Sequence, residues 1–246
     1  GTNAYTIVIS SEDATGSTAA EFNTINALTT IAVDLTNVTS ITSSSFDDLE
    51  TLATAIGNSE FSNTTGFTTI TVSDAAVDAT VLAATIDTYD SINGSGTTLI
   101  ELSGGATINV DAEEIVDMLL DETENRLNIT DQNIVVTGSI SVDDANLLSA
   151  TTTGTVTASI VTTETVDSLL NLAGTNAYTI VISSEDAAVS AGDLSTINAL
   201  TTEAIDATAV TDITRDTIFN INTLLTAGND TAQFTDTSFS QLSSVS

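Results

Sequence analysis

Apolar residues along this chain arrive in short clusters whose spacing switches between two periods. In Ile31–Leu52 they fall at Ile31, Val33, Val38, Ile41, Phe46, Leu49 and Leu52. Ile31 and Val33 alternate, which points both to one face of a strand. Phe46, Leu49 and Leu52 recur every third position, which predicts one stripe of a helix. Val38 and Ile41 between them read as inward points of a corner. The pattern returns in Glu203–Leu224, where Ile205, Val210, Ile213, Ile218, Ile221 and Leu224 keep the same offsets and only Glu203 breaks the set. A strand, a corner and a returning helix cannot bury their apolar edge alone, whereas stacked units can.

The same alternation continues through the chain. Thr6–Ser10 reads as a strand followed by a helix over Ala19–Leu28. Ile70–Val72 is a strand whose return path carries Val81, Ile86, Tyr89 and Ile92. Leu99–Leu102 leads to VDAEEIVDMLL, where Asp111 caps the helix and Glu114 completes a capping box. Leu127–Val136 fits no single register, and Ile140–Val142 and Val156–Ile160 read as shorter coils, each returning through a brief helix such as Val166–Leu172. The glycines between Gly94 and Gly105 predict a protruding loop.

Repetition sits above this local pattern. GTNAYTIVISSEDA occupies 1–14 and, unchanged, 174–187, and TINALTT occupies 24–30 and 196–202. Coils of about 24–30 residues are thus nested in a module of about 172. The expected organisation is a first module over 1–173 and a partial second copy over 174–246, continuous with it, in a protein that extends further.

The coil spacing resembles that of leucine-rich repeats, with Thr36 and Thr208 in the slot where that family places a buried Asn. That resemblance implies an α/β solenoid of short parallel strand, corner and short helix, with the Thr hydroxyl bonding the corner backbone. The alternative is a right-handed all-β parallel solenoid in which the helices become loops.

Charge changes the picture most. The chain has 246 residues with 34 acidic against two basic, Arg126 and Arg215, for a net charge of −32. Such a surface repels nucleic acid and anionic membranes, and no apolar run approaches the ~18 residues of a membrane span. The apolar fraction of 41% excludes a disordered acidic tail. Aromatics are only 4%, and Thr is about a fifth of the residues, which favours strands and polar corners. The chain opens on Gly1, consistent with a leader removed or lying outside it.

There is no His, Cys or Lys. Ser-His-Asp, Cys-His and Ser-Lys machinery cannot be built, nor can N/S zinc sites. Carboxylate pairs remain, among Asp47, Asp48, Asp111, Glu113, Glu114, Asp117, Asp143 and Asp144. Several of these fall in first helical turns, where acids stabilise the helix dipole. Glu12 and Asp13, echoed at Glu185 and Asp186, and Asp117 with Asp121 are the candidate calcium ligands, without a calcium-loop motif around them. No other cofactor is expected.

Composition and repetition resemble the giant acidic Thr/Ala/Val-rich repeat proteins exported by marine bacteria and cyanobacteria. The resemblance implies an extracellular structural protein, not an enzyme, that forms or extends a surface filament, sheath, layer or adhesin stalk. It would associate with itself end to end and take divalent cations. A ligand- or glycan-binding solenoid is the second reading, and an acid-only polysaccharide-cleaving enzyme the third.

Overall fold

The structure is a computed structural model and describes residues 3–94, 98–235, 239 and the backbone of 244–245. It is mixed α/β with parallel sheets. Eight α-helices occur among the described residues: α1 (Ala19–Asn26), α2 (Phe46–Gly57), α3 (Ala79–Asn93), α4 (Ile115–Thr123), α5 (Val142–Thr151), α6 (Val166–Leu169), α7 (Ala191–Asn198) and α8 (Ile218–Ala227). The helices are formed, so the all-β alternative does not hold.

Two compact units divide the chain, one of Gly1–Asn109 with Glu113–Gln132, the other of Val110–Ala112 with Asn133–Ser246. In the first unit Ser40–Ser44, Thr69–Val72, Leu99–Leu102 and Leu127–Asn128 form a four-stranded parallel sheet in chain order. Val33–Asp34 pairs with Phe61–Ser62, and Ala76–Asp78 with residues 107–109, also in parallel. In the second unit Asn133–Ile140, Val156–Ile160 and Ala177–Thr179 run parallel, as do Ala188–Ser190, Asp212–Thr214 and Ser244–Val245. Partners lie one turn of chain apart, from 20 residues for Thr157 with Ala177 to 32 for Asp212 with Ser244. Helices pack on their successors: α1 on α2, α2 on α3 and α3 on α4 in the first unit, and α7 on α8 in the second.

Local chemistry explains the helix starts. Thr18, Ser45, Ser141, Thr165, Ser190 and Thr217 each accept the N–H three residues on, and Asp78 accepts that of Thr80. At Thr18 the box is complete, since Glu21 reaches back to the Thr18 N–H at 2.9 Å. The box expected at Asp111 is not formed. Asp111 ends the strand Thr107–Asp111, and α4 starts at Glu114 without a side-chain cap. α3 ends on Gly94 at φ +71°, a left-handed turn that suits glycine.

The core is a narrow aliphatic seam. Val33, Leu35, Ile41, Leu49, Leu52 and Ile70 are fully shielded. Ile31 is not part of it, being 41% exposed; the strand begins at Val33, so Val33 and Leu35 hold the inward parity. Thr6–Ser10 forms only a single bridge, Val8 with Asp34. The unresolved register of Leu127–Val136 is two strands, Leu127–Asn128 and Asn133–Ile140, and the coil at Ile140–Val142 returns through α5, which Val142 opens. The stretch from Gly94 to Gly105 is not one loop. Thr98 is buried and Leu99–Leu102 is a central strand, with residues 95–97 outside the described set.

Apolar positions of the repeated coil carry unequal weight. Leu52→Ala removes a fully shielded side chain and costs about 2–5 kcal/mol. Ile218→Ala alters a residue 88% exposed and stays within about 0.5 kcal/mol. Urea denaturation of both variants measures the difference.

Candidate functional site

The acidic residues singled out in the sequence are placed by caps, corners and one ion cluster. Of the carboxylate pairs, Asp48 and Asp144 are bound to their own helix caps: Ser45 Oγ donates to Asp48 Oδ2 at 2.8 Å and Ser141 Oγ to Asp144 Oδ2 at 2.7 Å. Asp47 and Asp143 are the exposed neighbours of these. Glu113 stands exposed before α4, while Glu114 accepts from Thr80 Oγ1 at 3.2 Å. Glu114 and Asp117 line a small pocket of about 80 Å³ with Ala79, Met118 and Leu127.

A second set of oxygens works across turns of chain. The Ala19 N–H donates to Ser44 Oγ at 2.8 Å, Phe46 N–H to Asp74 Oδ2 at 3.0 Å and Val142 N–H to Glu164 Oε1 at 3.0 Å. The Val166 N–H donates to Asp186 Oδ2 at 2.9 Å and Gly192 N–H to Asp216 Oδ2 at 2.6 Å. In each case an early helix N–H, with no partner inside its helix, is met by a group 20–28 residues later. Carboxylates also suit the positive helix end. Asp186, one of the calcium candidates, is therefore a cap to α6. Glu185 and Glu12 lie on exposed 3-10 turns, whose N–H groups donate to Ser183 and Ser10.

Corners use a third set. Asp34 Oδ1 accepts the Thr36 N–H at 2.9 Å, the Thr36 hydroxyl at 2.6 Å and Asn63 Nδ2 of the next turn at 2.8 Å. Thr36 is exposed and gives its hydroxyl to Asp34, so the corner backbone is bonded by the Asp and not by the Thr. Asn37 supplies the amide, donating to Ile9 O of the previous turn at 2.8 Å. The bonds from Asn63 and Thr36 hold the Asp34 carboxyl below its ordinary value of 3.8.

Asp121 belongs to an ion cluster around Arg126. Arg126 pairs with Asp121, with Asp90 at 3.2 Å, with Glu124 at 3.3 Å and with Asp87 at 3.7 Å. Asp90 and Asp121 are buried, and Asp90 also accepts the Thr98 N–H at 3.0 Å. Burial pushes the Asp121 carboxyl up, against the opposing pull of Arg126. Asp117 is exposed on α4. Among the described residues no group of three or more acidic side chains is arranged to hold a metal ion.

One open groove of about 710 Å³ lies between α2 and α3, floored by Leu49, Ala53, Ala84 and Tyr89 and edged by Asp47 and Glu50. Tyr89 is fully buried, donates to Leu49 O at 2.9 Å, and burial drives its phenol far above the ordinary value.

The two identical segments differ in cover. Tyr178 is fully buried and its hydroxyl donates to Ala145 O at 3.3 Å. Asn176 accepts the Val156 N–H at 3.0 Å and donates to Ser149 Oγ at 3.1 Å. In the first copy Asn3 still donates to the Tyr5 hydroxyl, and Thr29 still brackets the Tyr5 backbone, yet Tyr5 is 55% exposed. The local bonds thus form both with and without a covering turn.

The chain matches no family model, no curated protein and no solved structure. No described helix is long and apolar enough to cross a membrane.

Two substitutions test the acidic groups. Arg126→Met strands Asp90 and Asp121 and costs about 3–5 kcal/mol at neutral pH. In denaturant titrations that loss shrinks on acidification, as protonation discharges Asp121, whose carboxyl burial pushes up. Asp34→Ala acts through a carboxyl held low. Its stabilisation is present above the ordinary value of 3.8 and is lost as pH falls through the lowered one. The gap between wild type and variant therefore stays constant at neutral pH and closes only in strong acid.

Proposed function

We propose that this protein is a structural repeat protein in which stacked α/β coils form a solenoid whose role is extent and not reaction. It acts outside the cell, in a filament, sheath, layer or adhesin stalk, and associates with itself end to end. The observation that carries the reading is the regular parallel pairing of strands one turn of chain apart within each unit, with helices packed on their successors. Nested repetition of the sequence supports it, because repeats of this kind gain stability by adding neighbours. So does the work found for two of the acids that carbohydrate cleavage would need, since Asp48 and Asp144 accept from the Ser caps of their own helices.

A net charge of −32 opposes contact between copies, so salt or divalent cations promote association by screening. Electron microscopy and sedimentation velocity across salt and calcium concentrations test the reading. Elongated particles that lengthen with concentration are expected, and round monomers under every condition would remove it.

A further inference from the structure

We propose that the open groove between α2 and α3 binds a small organic cation, an ammonium group carried on an apolar body, with the ammonium held between Asp47 and Glu50. Both helices belong to the first unit, so the site stands whether or not copies of the chain associate.

Small side chains make the groove. Ala53 and Thr54 of α2 and Thr80, Ala84 and Thr85 of α3 line it, and none is large enough to fill the space over Leu49 and Tyr89. About 710 Å³ is left open, within the ~300–1,000 Å³ of small-molecule sites. Phe46 and Val81 extend the apolar walls, and Val81 is 44% exposed. The hydroxyls along the α3 wall are already spent: Thr80 donates to Asp78 at 2.6 Å, Thr85 to Val81 O at 2.8 Å and Thr88 to Ala84 O at 2.7 Å. An anionic ligand therefore meets neither a cation nor a spare hydroxyl hydrogen on that wall, whereas an apolar body is covered by it.

Charge selects the ligand. On α2, α3 and the turns that lead into them, several acids already have partners. Asp48 accepts from Ser45 Oγ, Asp74 from the Phe46 N–H and Asp78 from the Thr80 N–H, and Asp87 pairs with Arg126. Asp47 and Glu50 line the groove and are exposed, and among the described residues no hydrogen bond or ion pair reaches either carboxylate. They stand three apart on α2, a spacing at which helix side chains are neighbours and like charges repel. An ammonium between them relieves that repulsion and donates to both. Arg126, the one basic residue of this unit, is taken by Asp87, Asp90, Asp121 and Glu124, so the counter-charge is left to a ligand. A bare metal ion gains nothing from apolar walls, whereas an aromatic or branched aliphatic body does.

Calorimetric titration of the full chain with phenylbutylammonium in about 0.15 M NaCl, where the screening length is ~8 Å, tests the site. Phenylbutanol, phenylbutyrate and methylammonium are the matched probes. The ammonium is expected to bind saturably, the alcohol more weakly, and the carboxylate and methylammonium without saturation. Asp47→Asn combined with Glu50→Gln weakens the ammonium roughly two- to thirtyfold, the range for two exposed ion pairs, and leaves the alcohol unchanged. Asp143→Asn combined with Glu203→Gln removes two exposed charges that do not line the groove and changes neither. Ala84→Phe, at an exposed position of α3, fills the groove and abolishes both, with circular dichroism as the check on folding. If the distant charge pair weakens the ammonium as much as the groove pair, the cation is a diffuse counter-ion and the site is wrong. It is equally wrong if phenylbutyrate binds as tightly as the ammonium, if folded Ala84→Phe still binds, or if no probe gives heat or a thermal shift. A Lys-rich amphipathic helix that binds where phenylbutylammonium does not would give the groove to a protein partner and overturn the small ligand.

Discussion

Unsatisfied helix N–H groups set the terms on which this chain folds. Its helices run from 4 residues in α6 to 15 in α3, lengths at which an isolated helix is marginal in water. Each leaves donors that its own turn cannot meet. A Ser, Thr or Asp cap meets one at every described helix but α4. A Ser, Asp or Glu contributed by the following turn meets another at α1, α2, α5, α6 and α7. Apolar burial goes with it, since Leu49 and Leu52 are fully shielded on α2, a helix that packs on both α1 and α3. Hydrogen bonding and burial therefore both depend on the neighbouring turn, and stability is local in origin.

Duplication within one chain separates the contribution of local sequence from that of neighbours. Fourteen residues are identical in the two copies. The bonds between Asn, Tyr and Thr inside and just beyond that segment form in both. Burial does not: Tyr178 lies under the turn that contains Ala145 and Ser149, and Tyr5 has no such cover. A similar contrast holds between α2 and α8, where Leu52 and Leu224 are both buried but the outer residues of α8 face solvent.

Acidity also has a structural explanation for part of its excess. Some carboxylates cap helices, Asp34 closes a corner, and four surround Arg126. The remainder are solvated, and their repulsion is the term that salt and cations relieve. With only two basic residues in 246, Arg126 is placed where Asp90 and Asp121 are buried together, since two such carboxylates without a cation would carry a large desolvation cost.

The sequence by itself determined the repeat and most of the inward positions, but its strand-corner-helix order misses a strand, since Ile41 lies on Ser40–Ser44 and not on a corner. The first two follow from backbone periodicity and from apolar spacing, which are local properties. Val33, Ile41, Leu49 and Leu52 were legible because their offsets recur at Ile205, Ile213, Ile221 and Leu224. The Arg126 cluster left one trace, a lone cation two residues after Glu124 in an otherwise acidic chain; Asp87 and Asp90 are brought to it from another helix. The tertiary structure decided that Ile31 faces solvent, that Asp111 ends a strand and does not cap a helix, and that Asp186 meets the Val166 N–H of α6. Each of these outcomes depends on a group some twenty or more residues away in sequence, or on where pairing with the adjacent turn begins. Spacing within one turn carries no record of what the next turn places against it.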